Sequence, residues 1–132
     1  MSRVAVDWRT SATLVGTVLK ALTLPLAGTA VVAVWYREPA VPFLVPLVLT
    51  LVAGLGLEQF DQRDLGLRES YLMVALTWLA IALVGAIPFV LAGQGVLAEP
   101  INAMFESMSG VTTTGATVIA SFDAHGKSIH LW

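Results

Sequence analysis

Apolar and polar residues follow one another along this chain in long blocks, not with the short period of an amphipathic surface helix or a half-buried strand. Residues 12–36 form the first apolar block, and its best-insulated part, 18–36, reaches about 28 Å as a helix, close to the ~30 Å of a bilayer's hydrocarbon. Lys20 would cost about 2.5–3.5 kcal/mol at mid-membrane, but near one end its stem leads the ammonium back to water. Trp35 and Tyr36 mark the other end as an interfacial belt. A second block, 41–57 (VPFLVPLVLTLVAGLGL), carries no charge and reaches about 25 Å, with Pro42 and Pro46 in its first turns. The linker 37–40 is so short that the two helices must form an antiparallel hairpin. Residues 58–70 (EQFDQRDLGLRES) are the most polar stretch and belong in water, and 71–92 is a third uncharged block of about 33 Å, with Pro88 near its end and Gly93 beyond.

Composition agrees with lipid as the solvent. The 132 residues are 57% apolar and 12% charged, too little polar surface to cover a soluble domain of this size. Without cysteine there is no disulfide framework, thiolate metal site or cysteine nucleophile. A net charge of -2 with no basic stripe excludes a nucleic-acid partner. Arg3, Arg9 and Lys20 give the start some resemblance to a signal peptide, but the apolar run continues to Tyr36 and is followed by Arg37, Glu38 and Pro39, so it reads as a retained helix. Arg3, Arg9, Lys20, Arg63 and Arg68 fall on one side of the membrane, Arg37 and Lys127 on the other. This predicts a multi-pass protein of the plasma membrane with a cytoplasmic N-terminus and a cytoplasmic 58–70 loop.

The candidate chemistry lies in the last third. Residues 100–111 (PINAMFESMSGV) predict a helix of about 18 Å, half a bilayer, with Pro100 at a favoured first position and Met104, Phe105 and Met108 as an apolar face. Thr112, Thr113, Thr114, Gly115, Ala116 and Thr117 follow, a β-branched run that favours extended backbone and covers about 20 Å. A half-membrane helix going in and a half-membrane strand coming out make a re-entrant segment, tolerated only where it lines a wet cavity. The helix's C-terminal end favours a cation, carbonyl and threonine oxygens can replace its hydration shell, and Gly115 can adopt a backbone that turns carbonyls toward one axis.

The string FESMSGVTTTGATV (105–118), preceded by RESYLMVALTWLAIALVGAIPFVLAG (68–93), resembles the first repeat of the Trk/Ktr family of potassium uptake transporters. The resemblance covers essentially the whole chain, because Trk-type members also carry a two-helix hairpin ahead of that repeat. It implies an all-α integral membrane fold: an N-terminal hairpin, then the first helix, re-entrant pore helix and filter strand of a potassium-channel-like repeat. By position, Thr113, Thr114, Gly115 and Ala116 would be one quarter of a selectivity filter for K+, the transported ion, with Thr112 below and Thr117 above. Ala116 and Thr117 stand where a channel has tyrosine and a second glycine, which implies a looser filter, while glycine at Gly115 implies preference for potassium over sodium. The resemblance further implies three more repeats, a homodimer and a cytosolic nucleotide-binding regulatory subunit. Ser128 to Trp132 would begin the repeat's second helix, so the chain by itself is expected to transport nothing.

Other residues read less specifically. Glu106 is first a structural partner for backbone donors or a neighbouring helix and second an attractor of cations. Asp123 and Glu99 are solvated loop charges that could enrich cations at the mouth, against the opposing charge of Lys127. His125 and His130, five residues apart with no third ligand, do not read as a zinc site. No segment pairs a nucleophile with a histidine or carboxylate at mid-membrane, so an enzyme is not expected, nor is a cofactor. The alternative to an ion path is a small membrane scaffold in which the threonine run is an ordinary external loop.

Overall fold

The structure is a computed structural model that describes residues 8–60, 67–121, 123 and 125–132. Helix α1 spans Trp8–Trp35, α2 spans Val41–Leu57 and α3 spans Leu67–Ala92. A 3-10 turn at Gly95–Ala98 leads into α4, Pro100–Val111, and α5 is Lys127–Leu131. Both long helices start about four residues ahead of the apolar blocks, since the polar residues before each block continue the helix instead of breaking it. Arg3 and Arg63, on which part of the expected orientation rests, lie outside the described residues, as does 61–66 of the expected cytoplasmic loop.

Two helices are long and apolar enough to cross a membrane, Trp8–Trp35 and Ser70–Ala92, while Val41–Leu57 is apolar but shorter. Their outer faces are apolar: Val31, Val34, Val48, Leu49 and Val52 are all exposed. In water such a surface would drive aggregation, whereas in lipid it needs no cover, and helical backbone leaves no polar group unpaired there.

What joins the helices is small residues. Against lipid tails apolar bulk gives little driving force, so helices associate through close backbone approach. At the α1–α2 crossing a Cβ built on Gly54 would lie 2.8 Å from the Gly16 carbonyl oxygen and 2.6 Å from Lys20 Cγ, so only glycine fits. One turn further, Lys20 pairs with the carboxylate of Glu58, which also accepts from the Thr17 hydroxyl at 3.0 Å. The membrane-facing lysine thus has a partner where α2 ends. The buried core draws on every element: Ala30 and Ala33 of α1, Phe43 of α2, Ala86 and Phe89 of α3, Leu97 of the 3-10 turn, Ala103 of α4 and Ile129 of α5.

At the other end of the hairpin, Glu38 in the α1–α2 turn reaches α5. Its carboxylate accepts from the Lys127 amide at 2.7 Å, the Ser128 amide at 2.9 Å and the Ser128 hydroxyl. Partial desolvation pushes the Glu38 pKa up, but the Ser128 and Lys127 hydrogen bonds and the Lys127 charge outweigh it and hold the carboxyl below its ordinary value. Lys127 Nζ lies 4.4 Å from the centroid of the Tyr36 ring.

The fold is all-helical, as expected, but no strand occurs among the described residues. The β-branched run after α4 forms no paired strand, and left-handed backbone at Thr113 and Gly115 interrupts it. A strand needs a neighbour to pair with, and the turn that ends α4 imposes left-handed backbone within the run itself.

Candidate functional site

Helix α4 is set by its first turn and by what it packs on. Pro100 opens it at a position where a missing amide is harmless, and Asn102 Nδ2 donates to the Val96 carbonyl at 3.0 Å and to Glu99 Oε2 at 3.1 Å. Glu99 is therefore engaged in shaping the helix start. The buried residues of α4 are Ala103, Ser107 and Ser109, beside the apolar side chains of Met104, Phe105 and Met108. The reason is Gly85 of α3, whose missing side chain lets α4 approach so closely that a Cβ there would lie 2.3 Å from Ser107 Oγ. Small residues fill that interface, Met104 packs at the edge of the core, and Phe105 is exposed. The Ser107 hydroxyl is buried with no hydrogen-bond partner among the described residues, and the Gly85 carbonyl beside it accepts from Trp132 Nε1 at 2.8 Å.

The end of α4 is a Schellman motif. The Thr114 amide donates to the Ser109 carbonyl at 3.0 Å and the Thr113 amide to the Gly110 carbonyl at 3.1 Å, which places Thr113 at the left-handed position with φ +54. Glycine is the usual occupant there; a β-branched residue in that conformation is an outlier costing about 1–3 kcal/mol. Gly115 is left-handed too, with φ +74, and here the residue type suits the backbone. The Thr112 hydroxyl bonds the Met108 carbonyl at 2.7 Å and lies 2.7 Å from the Thr114 hydroxyl.

Beyond Gly115 the chain doubles back along α4. Ser109 Oγ donates to the Ala116 carbonyl at 2.6 Å. Nearly one turn back along α4, Glu106 accepts from the Thr117 hydroxyl at 2.8 Å and the Val118 amide at 3.0 Å. The Ile119 amide in turn donates to Thr117 Oγ1 at 3.0 Å, and Val118 and Ile119 pack on the core. Residues Thr112 to Thr117 are all exposed, and the carbonyls of Thr113, Thr114 and Gly115 accept none of the hydrogen bonds found among the described residues. Thr113, Gly115, Ala116 and Thr117 border a cleft of about 700 Å³ walled by α1, α3, α4 and α5, which Thr29, Phe89 and Trp132 also line. Chemically this is a cluster of hard, uncharged oxygens on a bent backbone, suited to an alkali cation and not to proton transfer or nucleophilic attack.

Of the residues singled out in the sequence, the structure brings Glu106, Thr112, Thr113, Thr114, Gly115, Ala116 and Thr117 into one unit. Asp123 is exposed in the loop before α5, and no hydrogen bond or ion pair among the described residues joins it to that unit. His125 and His130 come within 6.3 Å, ring centroid to centroid, in an edge-on contact, and no group of three metal-ligating side chains occurs among the described residues. Ser109 escaped notice in the sequence, because a serine seven positions ahead of its acceptor has no recognisable spacing. The left-handed Thr113 escaped because threonine gives the opposite signal.

Known proteins resemble this chain over most of its length. The chain is 34% identical over 128 residues to the Trk system potassium uptake protein TrkH of Vibrio parahaemolyticus, covering 93% of this chain and 26% of that protein. It is 38% identical over 90 residues to TrkH of Halomonas elongata, 66% of this chain and 18% of the relative, and 34% identical over 111 residues to TrkH of Escherichia coli K12, 78% and 23%. The crystal structure of the potassium transporter TrkH from Vibrio parahaemolyticus superposes with a TM-score of 0.79 at 32% identity, over 93% of this chain and 27% of that one. The chain thus spans about a quarter of the length of these relatives. No family model matches the chain.

Proposed function

We propose that Thr112 to Ala116 of this chain, which belongs to the Trk family of potassium uptake proteins as a TrkH-like membrane segment, are its share of a filter that coordinates K+ during uptake. One observation carries the reading: a helix of 12 residues, too short to cross a bilayer, gives way to a doubled-back backbone with left-handed residues at Thr113 and Gly115 and carbonyls that accept no hydrogen bond among the described residues. Such a backbone is unstable in lipid unless it lines a water-filled path, and its oxygens replace a hydration shell. In this reading α4 is a re-entrant pore helix entered from the outer face, and its C-terminal dipole favours a cation at the cleft. Orientation follows from charge: Arg9, Lys20 and Arg68 lie toward the cytoplasm, Arg37 and Lys127 toward the exterior.

One segment cannot surround an ion. In this reading the remaining oxygens come from further repeats of the same transporter, which acts as a homodimer served by a cytosolic nucleotide-binding subunit. The test is a chimaera in which this chain replaces the matching quarter of the Vibrio TrkH, expressed in cells lacking potassium uptake. Growth at low potassium is expected, and Gly115→Ser in that background is expected to lower discrimination of K+ against Na+. Uptake whose selectivity is indifferent to Gly115 would remove the filter from the account.

A further inference from the structure

Among the oxygens of this segment one stands apart. The Ala116 carbonyl is engaged by Ser109 Oγ at 2.6 Å, and Ser109 is only 7% exposed, so the donor sits on the buried side of the segment, behind the exposed backbone. The two residues that follow are fixed on the same side of α4 by Glu106, through the Thr117 hydroxyl and the Val118 amide. Ser109 acts at both limbs of the loop: its backbone carbonyl takes the Thr114 amide at 3.0 Å and its hydroxyl holds Ala116. Thr113, Thr114 and Gly115, between those two points, keep carbonyls that accept no hydrogen bond among the described residues.

We propose that Ser109 withholds the Ala116 carbonyl from the ion path, so that the row of backbone oxygens this segment offers ends at Gly115. Ser109 is a positioning residue, acting through the backbone and touching no ion, with Glu106 holding the outgoing limb where the hydroxyl can reach its acceptor. The inference rests on the filter reading above and sharpens it by assigning which oxygens coordinate. A side-chain hydroxyl is a strong, short-range donor, and a carbonyl bound to it at this distance is turned toward α4 and has part of its electron density committed. Removing the donor frees an oxygen at the outer end of the row. A freed oxygen closes most readily on the smaller ion, whose charge density is higher, so sodium gains more than potassium.

The experiment uses the chimaera with Vibrio TrkH. Ser109→Ala is expected to lower the K+ over Na+ uptake ratio roughly threefold to tenfold, the factor matching one lost hydrogen bond, and Ser109→Thr, which keeps the hydroxyl, to restore it. A ratio unchanged or raised in Ser109→Ala, while Gly115→Ser lowers it, overturns the role of Ser109 and leaves the filter standing; indifference at both positions overturns both. A second measurement needs no variant to fold: with isotope-labelled carbonyls in the otherwise unaltered chimaera, exchange of K+ for Na+ should shift the infrared band of Thr114 and leave that of Ala116 in place. Equal shifts at the two positions would count against the proposal.

Discussion

The α1–α2 hairpin and the loop after α4 solve opposite problems with the same small set of residues. In the hairpin, glycine removes bulk: Gly16 and Gly54 let two regular helices touch backbone to backbone, and the charges at that crossing, Lys20 and Glu58, are paired. In the loop, glycine permits a backbone no helix uses, and a threonine accepts the same left-handed geometry without glycine's freedom. The hairpin is regular helix, whereas in the loop the carbonyls of Thr112 to Gly115 accept none of the hydrogen bonds found among the described residues. Strain and unpaired oxygens collect where an ion would be handled, and regular structure collects where the chain meets lipid.

The largest expected effect lies on the hairpin side. Gly54→Val places a branched side chain against the Gly16 carbonyl, where even a Cβ would be 2.8 Å away, and neither backbone can yield without parting the helices. Overpacking of this kind costs about 1–3 kcal/mol or more, and thermal unfolding in detergent should show the lower midpoint. Next comes Glu106→Ala, which strips the acceptor from the Thr117 hydroxyl and the Val118 amide. Leaving such donors unpaired costs about 1–3 kcal/mol, but here the loss should fall on the loop, read as faster hydrogen exchange at Val118 with the hairpin amides unchanged. Equal loss of protection in both regions would erase the distinction drawn between them.

That division also marks what the sequence could reveal. The helices were legible because length and uninterrupted apolarity are properties of composition, and the string around Gly115 was legible by resemblance. The interface was not: the apolar face of Met104, Phe105 and Met108 gives no hint that small residues pack inside, and only the position of Gly85 across the gap makes Ala103 and Ser107 the residues buried there. Nor could propensity foresee Thr113, since a β-branched run argues for a strand and the helix stop that overrides it depends on two hydrogen bonds to Ser109 and Gly110. Glu38 was similarly silent, its partners at Lys127 and Ser128 lying about 90 residues away in sequence.

Glu38 offers a finer probe, because it links the two regions and is sensitive to pH. Its carboxyl is held below the ordinary value of 4.5, so the junction's added stability is fully present above that value and is lost as pH falls through the lowered one. Protection factors of the Lys127 and Ser128 amides should therefore decline on acidification below about pH 4.5. Glu38→Gln should flatten that decline, while the Gly16–Gly54 crossing stays indifferent.

The smallest effect has the opposite sign and bears most directly on why the regions differ. Thr113→Gly places at the left-handed position the residue that the Schellman motif ordinarily uses, and it deletes a side chain that makes no hydrogen bond among the described residues of the kind holding Thr112 or Thr117. Relief of the left-handed penalty favours the folded loop by about 1–2 kcal/mol, and the added freedom of glycine in the unfolded chain returns about 0.5–1 kcal/mol of it. The net expectation is a rise in stability of under about 1 kcal/mol, visible as a small upward shift in the thermal midpoint. Were threonine there for stability alone, glycine would be the better choice; a chain that is more stable with glycine yet discriminates less well between K+ and Na+ would show that the strain serves the oxygens it orients. A loss of stability instead would mean that Thr113 makes a contribution its backbone angle conceals, and the contrast between a relaxed hairpin and a strained loop would have to be withdrawn.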